Sequence, residues 1–408
     1  MSEAELAAPL FDPFAPGFTD DPYPQYAAVR AAAPVYQHPF GFWLLTRYEE
    51  VSWLLRASLS VEDRNMTGGP LLEMREALYG DQPTSAADGL SMLDRDPPDH
   101  TRLRKLVSKA FTPRSIQALR PRITELVDGM LGEIEERGQV DLVEALAFPL
   151  PFTVIAEMLG TPPADHTRIR ELSGTLVRSL EPVNDPQMAA AIMAADRELC
   201  EIAAGMIAWK RKNPADDLLT ALINAEDGGD VLSDDELVAQ TLLLYLAGHE
   251  TTVNLIAGGT LALLRHPDQL AELRADPGLA ENAVEELLRY DSPVQASRRI
   301  TLEPITLGGT GIPAGAFVLA SLAAANRDRD FWGEDADELR LRRENARQHV
   351  SFGAGVHHCL GASLARLEGA ITIERLVARF PGLRLDGEVE WNGRINLRGP
   401  ARLPVSTG

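Results

Sequence analysis

The sequence predicts a mainly α protein with a minor β region, and three observations carry that reading. One apolar stretch, residues 233–265, is long enough to cross a whole domain as a single helix. Around it, helical patterns recur between proline joints at 149, 151, 162–163 and 182. Past residue 299 the texture changes to short runs around the turn Ile312-Pro-Ala-Gly315, the mark of a small sheet. No linker interrupts the 408 residues, so a flexible arm over 1–20 and one domain over 21–408 are expected.

Charge and composition exclude some classes. A net charge of −21 argues against a nucleic-acid binder, whose footprint would be basic. Pro9, Pro13 and Pro16 interrupt an acidic start that suits neither a signal peptide nor a membrane anchor. Glu250 inside the long apolar stretch argues against a membrane span, so a cytoplasmic protein is expected. Two cysteines allow at most one disulfide, and Cys200 reads as a buried apolar residue.

In chain order, a helix is expected over 24–33, a hairpin over 35–36 and 42–46, and a helix over 48–57. Residues 58–93 have poor periodicity. A solvated loop and a lid over an apolar ligand both fit them, the lid using Met66, Leu71, Leu72, Met92 and Leu93. Asp96-Pro-Pro-Asp99 opens a basic helix over 100–111 carrying Arg102, Arg104, Lys105 and Lys109, either a solvated face or one that binds anions. His100 and Arg104, four apart, share one side of it. Helices follow over 112–137, 154–159, 166–179 and 186–212.

Ser233 and Glu236 form a capping box for the long helix, which is apolar on almost every side and so expected to be buried all round. Near its centre, Ala247-Gly-His-Glu250-Thr251-Thr252 puts an acid and two threonines where an unpaired carboxylate is costly. Threonine hydroxyls bonded to the preceding turn could bend the helix and leave room beside Ala247 and Gly248 for a small ligand. Glu286 and Arg289, three apart in a helix over 277–290, can pair. Strands within 299–320, an irregular charged stretch over 326–349, a helix over 362–380 and strands at 383–385 and 403–405 complete the chain.

The chemistry concentrates in Phe352-Gly-Ala-Gly-Val-His-His-Cys-Leu-Gly361. Cys359 stands just before a helix N-terminus, whose N–H groups and dipole are expected to lower its pKa. Gly353, Gly355 and Gly361 would let the backbone approach something flat and bulky. A cysteine nucleophile with His357 or His358 as base matches no hydrolase signature. A zinc site is crowded, and the second histidine of a zincin helix would fall on Val253. A haem iron held by one thiolate fits more parts. Its propionates would call on His100, Arg104, Arg299 and His357, and its open face would meet Glu250 and Thr251.

Here the chain resembles a known family. Phe352-Gly-x-Gly-x-His357-x-Cys359-x-Gly361 resembles the haem-binding signature of the cytochromes P450, and Ala247-Gly-x-Glu250-Thr251-Thr252 their oxygen-activation motif. Glu286-x-x-Arg289 with Arg343, Asp96-Pro-Pro-Asp-His100-x-x-x-Arg104 and Asn326-Arg327-Asp328 are similar to further motifs of its soluble bacterial class, all in the family's order. The resemblance implies the cytochrome P450 fold, with the long central buried helix over a thiolate-ligated haem b. It implies Cys359 as the metal ligand, Thr251 and Glu250 as catalytic residues that organise water and relay protons, and His100, Arg104, Arg299 and His357 on the propionates. Phe352, Gly353, Ala247 and Gly361 would also line the cofactor, and Glu286, Arg289 and Arg343 would be structural.

The implied activity is monooxygenation, by hydroxylation or epoxidation, of a hydrophobic polyketide, macrolide, terpenoid or steroid. Oxidative coupling, desaturation, peroxide-driven oxidation or a non-catalytic haem protein are the alternatives. Substrate would touch Leu93, Leu243, Leu246, Ala247, Val294 and Ile395. Electrons would come from NAD(P)H through a separate ferredoxin and ferredoxin reductase, with Arg102, Lys105 and Lys109 helping to dock an acidic donor to a monomeric enzyme.

Overall fold

A computed structural model describes residues 10–79, 90–161, 166–183 and 185–408. Its axis is the helix Asp234–Arg265, 32 residues long and about 48 Å at 1.5 Å per residue. The expected box caps it: Glu236 N–H donates to Ser233 Oγ, and Ser233 N–H donates to Glu236 Oε2 at 2.9 Å. Most of this helix is buried, because other helices pack on its successive faces: Pro149–Leu159, Pro186–Lys212, Ala280–Tyr290 and the closing helix Ala362–Arg379. Two large apolar clusters form around it. One includes Leu131, Leu146, Ile256 and Ile371, and the other Leu103, Phe152, Leu199 and Tyr245. No helix among the described residues is long and apolar enough to cross a membrane.

The β region includes a four-stranded sheet in the order Val35–Gln37, Trp43–Leu45, Phe317–Ser321, Ala296–Ile300. The outer pairs are antiparallel, while Trp43 and Val318 face each other in a parallel central pair. A three-stranded sheet gathers Arg384–Leu385, Pro404–Ser406 and Gln139–Asp141. Its last member had no sequence signal, being three residues of which only Val140 is buried.

Two expectations need correction. The arm is not loose from residue 10 onward: Phe11 and Phe18 are buried with their rings 5.5 Å apart, and each ring lies 5.9 Å from that of Tyr26. Aromatic burial, invisible to a reading based on proline spacing, holds it down. The 58–93 stretch is also not featureless. It contains the turn Asp63–Asn65 and the helix Pro70–Tyr79, and Thr67 N–H bonds Gly315 O at 3.1 Å. Residues 80–89 of that stretch lie outside the described residues.

Candidate functional site

The Cys359 loop is built on its own backbone. Gly353 N–H donates to Val350 O, Cys359 N–H to Phe352 O at 2.9 Å and His358 N–H to Gly355 O at 3.1 Å. Gly355, at φ +70°, would place a Cβ 2.5 Å from Leu55 O. Its smallness therefore serves the docking of helix Tyr48–Arg56, and not a flat ligand as expected. Gly353, at φ +67°, has open space beside it, and a Cβ on Gly361 would lie 4.0 Å from the sulfur. Phe352 packs on Leu255, Val284 and Ala370, with the Arg366 guanidinium 4.5 Å above its ring.

Cys359 is accessible in this loop. Burial of the surrounding site pushes its thiol pKa up, although the N–H groups of Gly361 and Ala362 and the charges of Arg104 and Arg366 pull it down. In the free loop burial outweighs these pulls, the direction opposite to the sequence expectation.

Four donors converge beside the loop. His100, 2% exposed, has no hydrogen-bond partner on either ring nitrogen, and His357 Nε2 has none either. Their rings lie 4.2 Å apart. Arg299, on strand Ala296–Ile300, is buried and makes no close ion pair among the described residues, Asp96 acting on it at longer range; its Nη1 donates to Arg298 O at 2.6 Å and Ser297 Oγ at 3.1 Å. Burial lowers its pKa to about 10, and burial with the neighbouring His100, Arg299 and Arg104 lowers that of His357 to about 3. Buried donors without acceptors are expensive, so this cradle suits an anionic group, such as the two carboxylates of haem, beside an accessible thiol. Arg104 spends a bond elsewhere, donating from Nη2 to His358 O at 2.7 Å, and so also braces the Cys359 loop.

On the central helix, Ala247 is exposed between the half-buried Leu246 and Gly248. A Cβ on Gly248 would lie 3.3 Å from Ile155, so that glycine admits a helix neighbour and not a ligand as expected. Thr251 Oγ1 donates to Ala247 O at 3.0 Å and Thr252 Oγ1 to Gly248 O at 3.3 Å. Glu250 pairs with Arg394, Nη1 to Oε2 at 2.7 Å, and its Oε1 lies 3.6 Å from His249 Nε2. Burial works to raise the Glu250 pKa, but His249 and Arg394 bring it down to about 2. Arg394 is its close charged partner, while His249 Nδ1 sits 2.9 Å from Tyr245 O.

The expected substrate residues are split. Val294 bridges to Leu397 and packs on the cluster holding Leu54, whereas Ile395 packs on the cluster holding Phe11. Leu243 and Leu246 are half-buried against the cluster holding Phe152, and Leu93 is 49% exposed. The basic helix Asp99–Ala110 differs from expectation: Arg102 pairs with Glu236, and Lys105 and Lys109 both pair with Asp227. Its charge is largely answered within the chain.

Glu286 and Arg289 are fully buried, with two bonds of 2.7 and 2.8 Å, and Arg343 Nε joins at 3.2 Å. His349 Nε2 and Arg366 Nε meet Glu285 at 3.0 and 2.8 Å. Arg394 and Glu181 escaped the sequence reading. Arg394 stands 144 positions from its partner, and no periodicity spans that gap.

A family model described as Cytochrome P450 matches residues 188–277 and 278–389. The chain is 43% identical over 404 residues to Cytochrome P450 107B1 of Saccharopolyspora erythraea, covering 97% of each. It is 44% identical over 405 residues to the vitamin D(3) 25-hydroxylase of Pseudonocardia autotrophica, covering 97% of this chain and 96% of that one. The crystal structure of the myxobacterial cytochrome P450 CYP267B1 in complex with myristic acid matches with a TM-score of 0.88 at 39% identity, over 97% of this chain and 98% of that one. Likeness at this level over nearly the whole of each chain makes the protein a member of the cytochrome P450 family, with haem as its cofactor and monooxygenation as its chemistry.

Proposed function

We propose that the protein inserts one atom of O2 into a bulky apolar substrate, a polyketide macrolactone, terpenoid or steroid, in the cytoplasm and as a monomer. Electrons come from NAD(P)H through a ferredoxin reductase and a ferredoxin. The observation that carries this reading is the cluster of buried, unpartnered donors at His100 and His357 beside an accessible Cys359. A relative named for vitamin D and a structural neighbour holding a fatty acid support an apolar substrate.

Cys359 would hold the iron, and His100, Arg299 and His357 would hold the propionates, with Arg104 reaching them from the loop it braces. When bound, haem activates O2 with two electrons and supplies the oxygen atom for insertion. Phe352, Gly353, Gly361 and Ala247 line it. The protein's own chemistry is the supply of protons. With its hydrogen resting on Ala247 O, Thr251 Oγ1 presents lone pairs that can hold a water by accepting a hydrogen bond. Glu250, next to it, carries protons from solvent. Leu93, Leu243, Leu246, Val294 and Ile395 shape the substrate space. Because Arg102, Lys105 and Lys109 are paired within the chain, the acidic donor has to be met by other groups.

A reduced-plus-CO spectrum tests the ligand: the holoprotein should show the strongly red-shifted Soret band of thiolate haem, and Cys359→Ser should abolish it. An unshifted band in the parent protein would remove Cys359 from the iron. For proton supply, Thr251→Ala should divert NAD(P)H turnover from product to peroxide; unchanged product per NAD(P)H would refute that role. A spin-state titration with macrolactones, terpenoids and steroids should identify the substrate class.

A further inference from the structure

Between helices His166–Leu176 and Pro186–Lys212, the chain passes through the turn Val177–Leu180 to Glu181. The Glu181 carboxylate accepts from three successive backbone N–H groups: Ile395 at 2.7 Å, Asn396 at 3.0 Å and Leu397 at 3.2 Å. Consecutive amides aimed at one ionised group form an anion nest, and such bonds are stronger than neutral ones. The same turn is closed by Asn392, which accepts from Arg394 N–H at 3.0 Å and donates to Leu397 O at 2.8 Å. Its side-chain product is Arg394, whose Nη1 reaches Glu250 Oε2 at 2.7 Å, both groups being nearly buried. The 392–397 turn therefore stands between two carboxylates, Glu181 on its backbone amides and Glu250 on its Arg394 side chain.

We propose that Arg394 is a positioning residue for Glu250, and that Glu181 sets it from the connection between the two helices. Seating of that connection on the 394–397 turn and docking of Glu250 on Arg394 are one linked equilibrium. Its consequence for catalysis rests on the proton-carrying role given to Glu250. Linkage is reciprocal: whatever lifts Glu181 from the nest frees Arg394, and whatever frees Glu250 loosens the nest.

The titratable and charged groups facing Glu250 include Arg394 from the turn, the His249 ring on its own helix and, at longer range, Arg170 of His166–Leu176. Without Arg394 the buried carboxylate loses its close counter-charge and takes a proton from water. It can then release that proton to water, which Thr251 Oγ1 can order by accepting a hydrogen bond. Loosening of the connection thereby times proton delivery.

The test uses holoprotein carrying Glu181→Gln, Arg394→Met or Glu250→Gln. Amide hydrogen exchange over 394–398 should rise about tenfold in Glu181→Gln, as loss of charge-assisted bonds requires. In infrared spectra at pH 6, a protonated-acid band that disappears when Glu250→Gln is added should emerge in both Arg394→Met and Glu181→Gln. Association of 4-phenylimidazole, read at the Soret band, should quicken severalfold in Arg394→Met. An acid band in Arg394→Met but not in Glu181→Gln overturns the link, as does unchanged exchange and ligand association in both variants. Product per NAD(P)H in Glu250→Gln judges the proton role separately: unchanged coupling there removes the catalytic consequence, while the band and exchange data still decide the linkage.

Discussion

Glu368 is fully buried on the closing helix, and its Oε2 finds no partner. Burial raises its pKa from 4.5 to about 8. The folded chain therefore holds this proton more tightly than the unfolded chain does. The stability so gained is complete below about pH 4.5 and lost as pH rises toward 8. Glu368→Gln, which mimics the protonated form, should flatten the dependence of Tm on pH across that window. A parallel curve for parent and variant would show that the carboxyl is neutralised by other means. Glu286 and Arg289 present the opposite case, a buried pair whose remaining donors are used on the carbonyls of Asn326, Ala336 and Glu338. Removing one partner strands the other, so Arg289→Met should cost about 3–5 kcal/mol in urea unfolding.

At the scale of elements, the thiol loop and helix Tyr48–Arg56 fit only because residue 355 lacks a side chain. Gly355→Ala meets two penalties: a left-handed backbone, worth roughly 1–2 kcal/mol, and a clash with a main-chain oxygen that no rotamer change relieves. Gly353→Ala meets only the first, its nearest neighbour being His357 O at 3.9 Å. Gly355→Ala should therefore release haem to apomyoglobin much faster than Gly353→Ala. Equal rates would mean that the loop is not fixed by that helix. The central helix shows similar economy at Gly248, which gives its space to Ile155 and leaves Ala247 as the accessible position.

For the whole molecule, what could be read in the sequence was whatever is local. The Ser233–Glu236 box and the spacing of Glu286 and Arg289 each declare themselves within a few residues, and each forms as expected. Pairs made across the chain leave no such mark. Arg102 with Glu236, Glu250 with Arg394 and Glu181 with the 395–397 amides join positions more than a hundred apart, so the first looked like a free basic face and the others went unseen. The role of Gly355 was misread for the same reason: the atom that forbids a Cβ belongs to residue 55.

The parallel pairing of Trp43–Leu45 with Phe317–Ser321 has a consequence for biogenesis. A nascent chain cannot complete that sheet until most of it has left the ribosome, because the partner of Trp43 is Val318. Arg398 extends the delay, since it donates to Thr19 O at 2.7 Å and Asp20 O at 2.6 Å. The helical middle, rich in near-neighbour contacts, can assemble during synthesis, while non-local pairing waits. The earliest residues to be made are thus among the last to become native, arriving together with the loop that carries Cys359, so that sheet closure and cofactor capture fall in the same late step of folding.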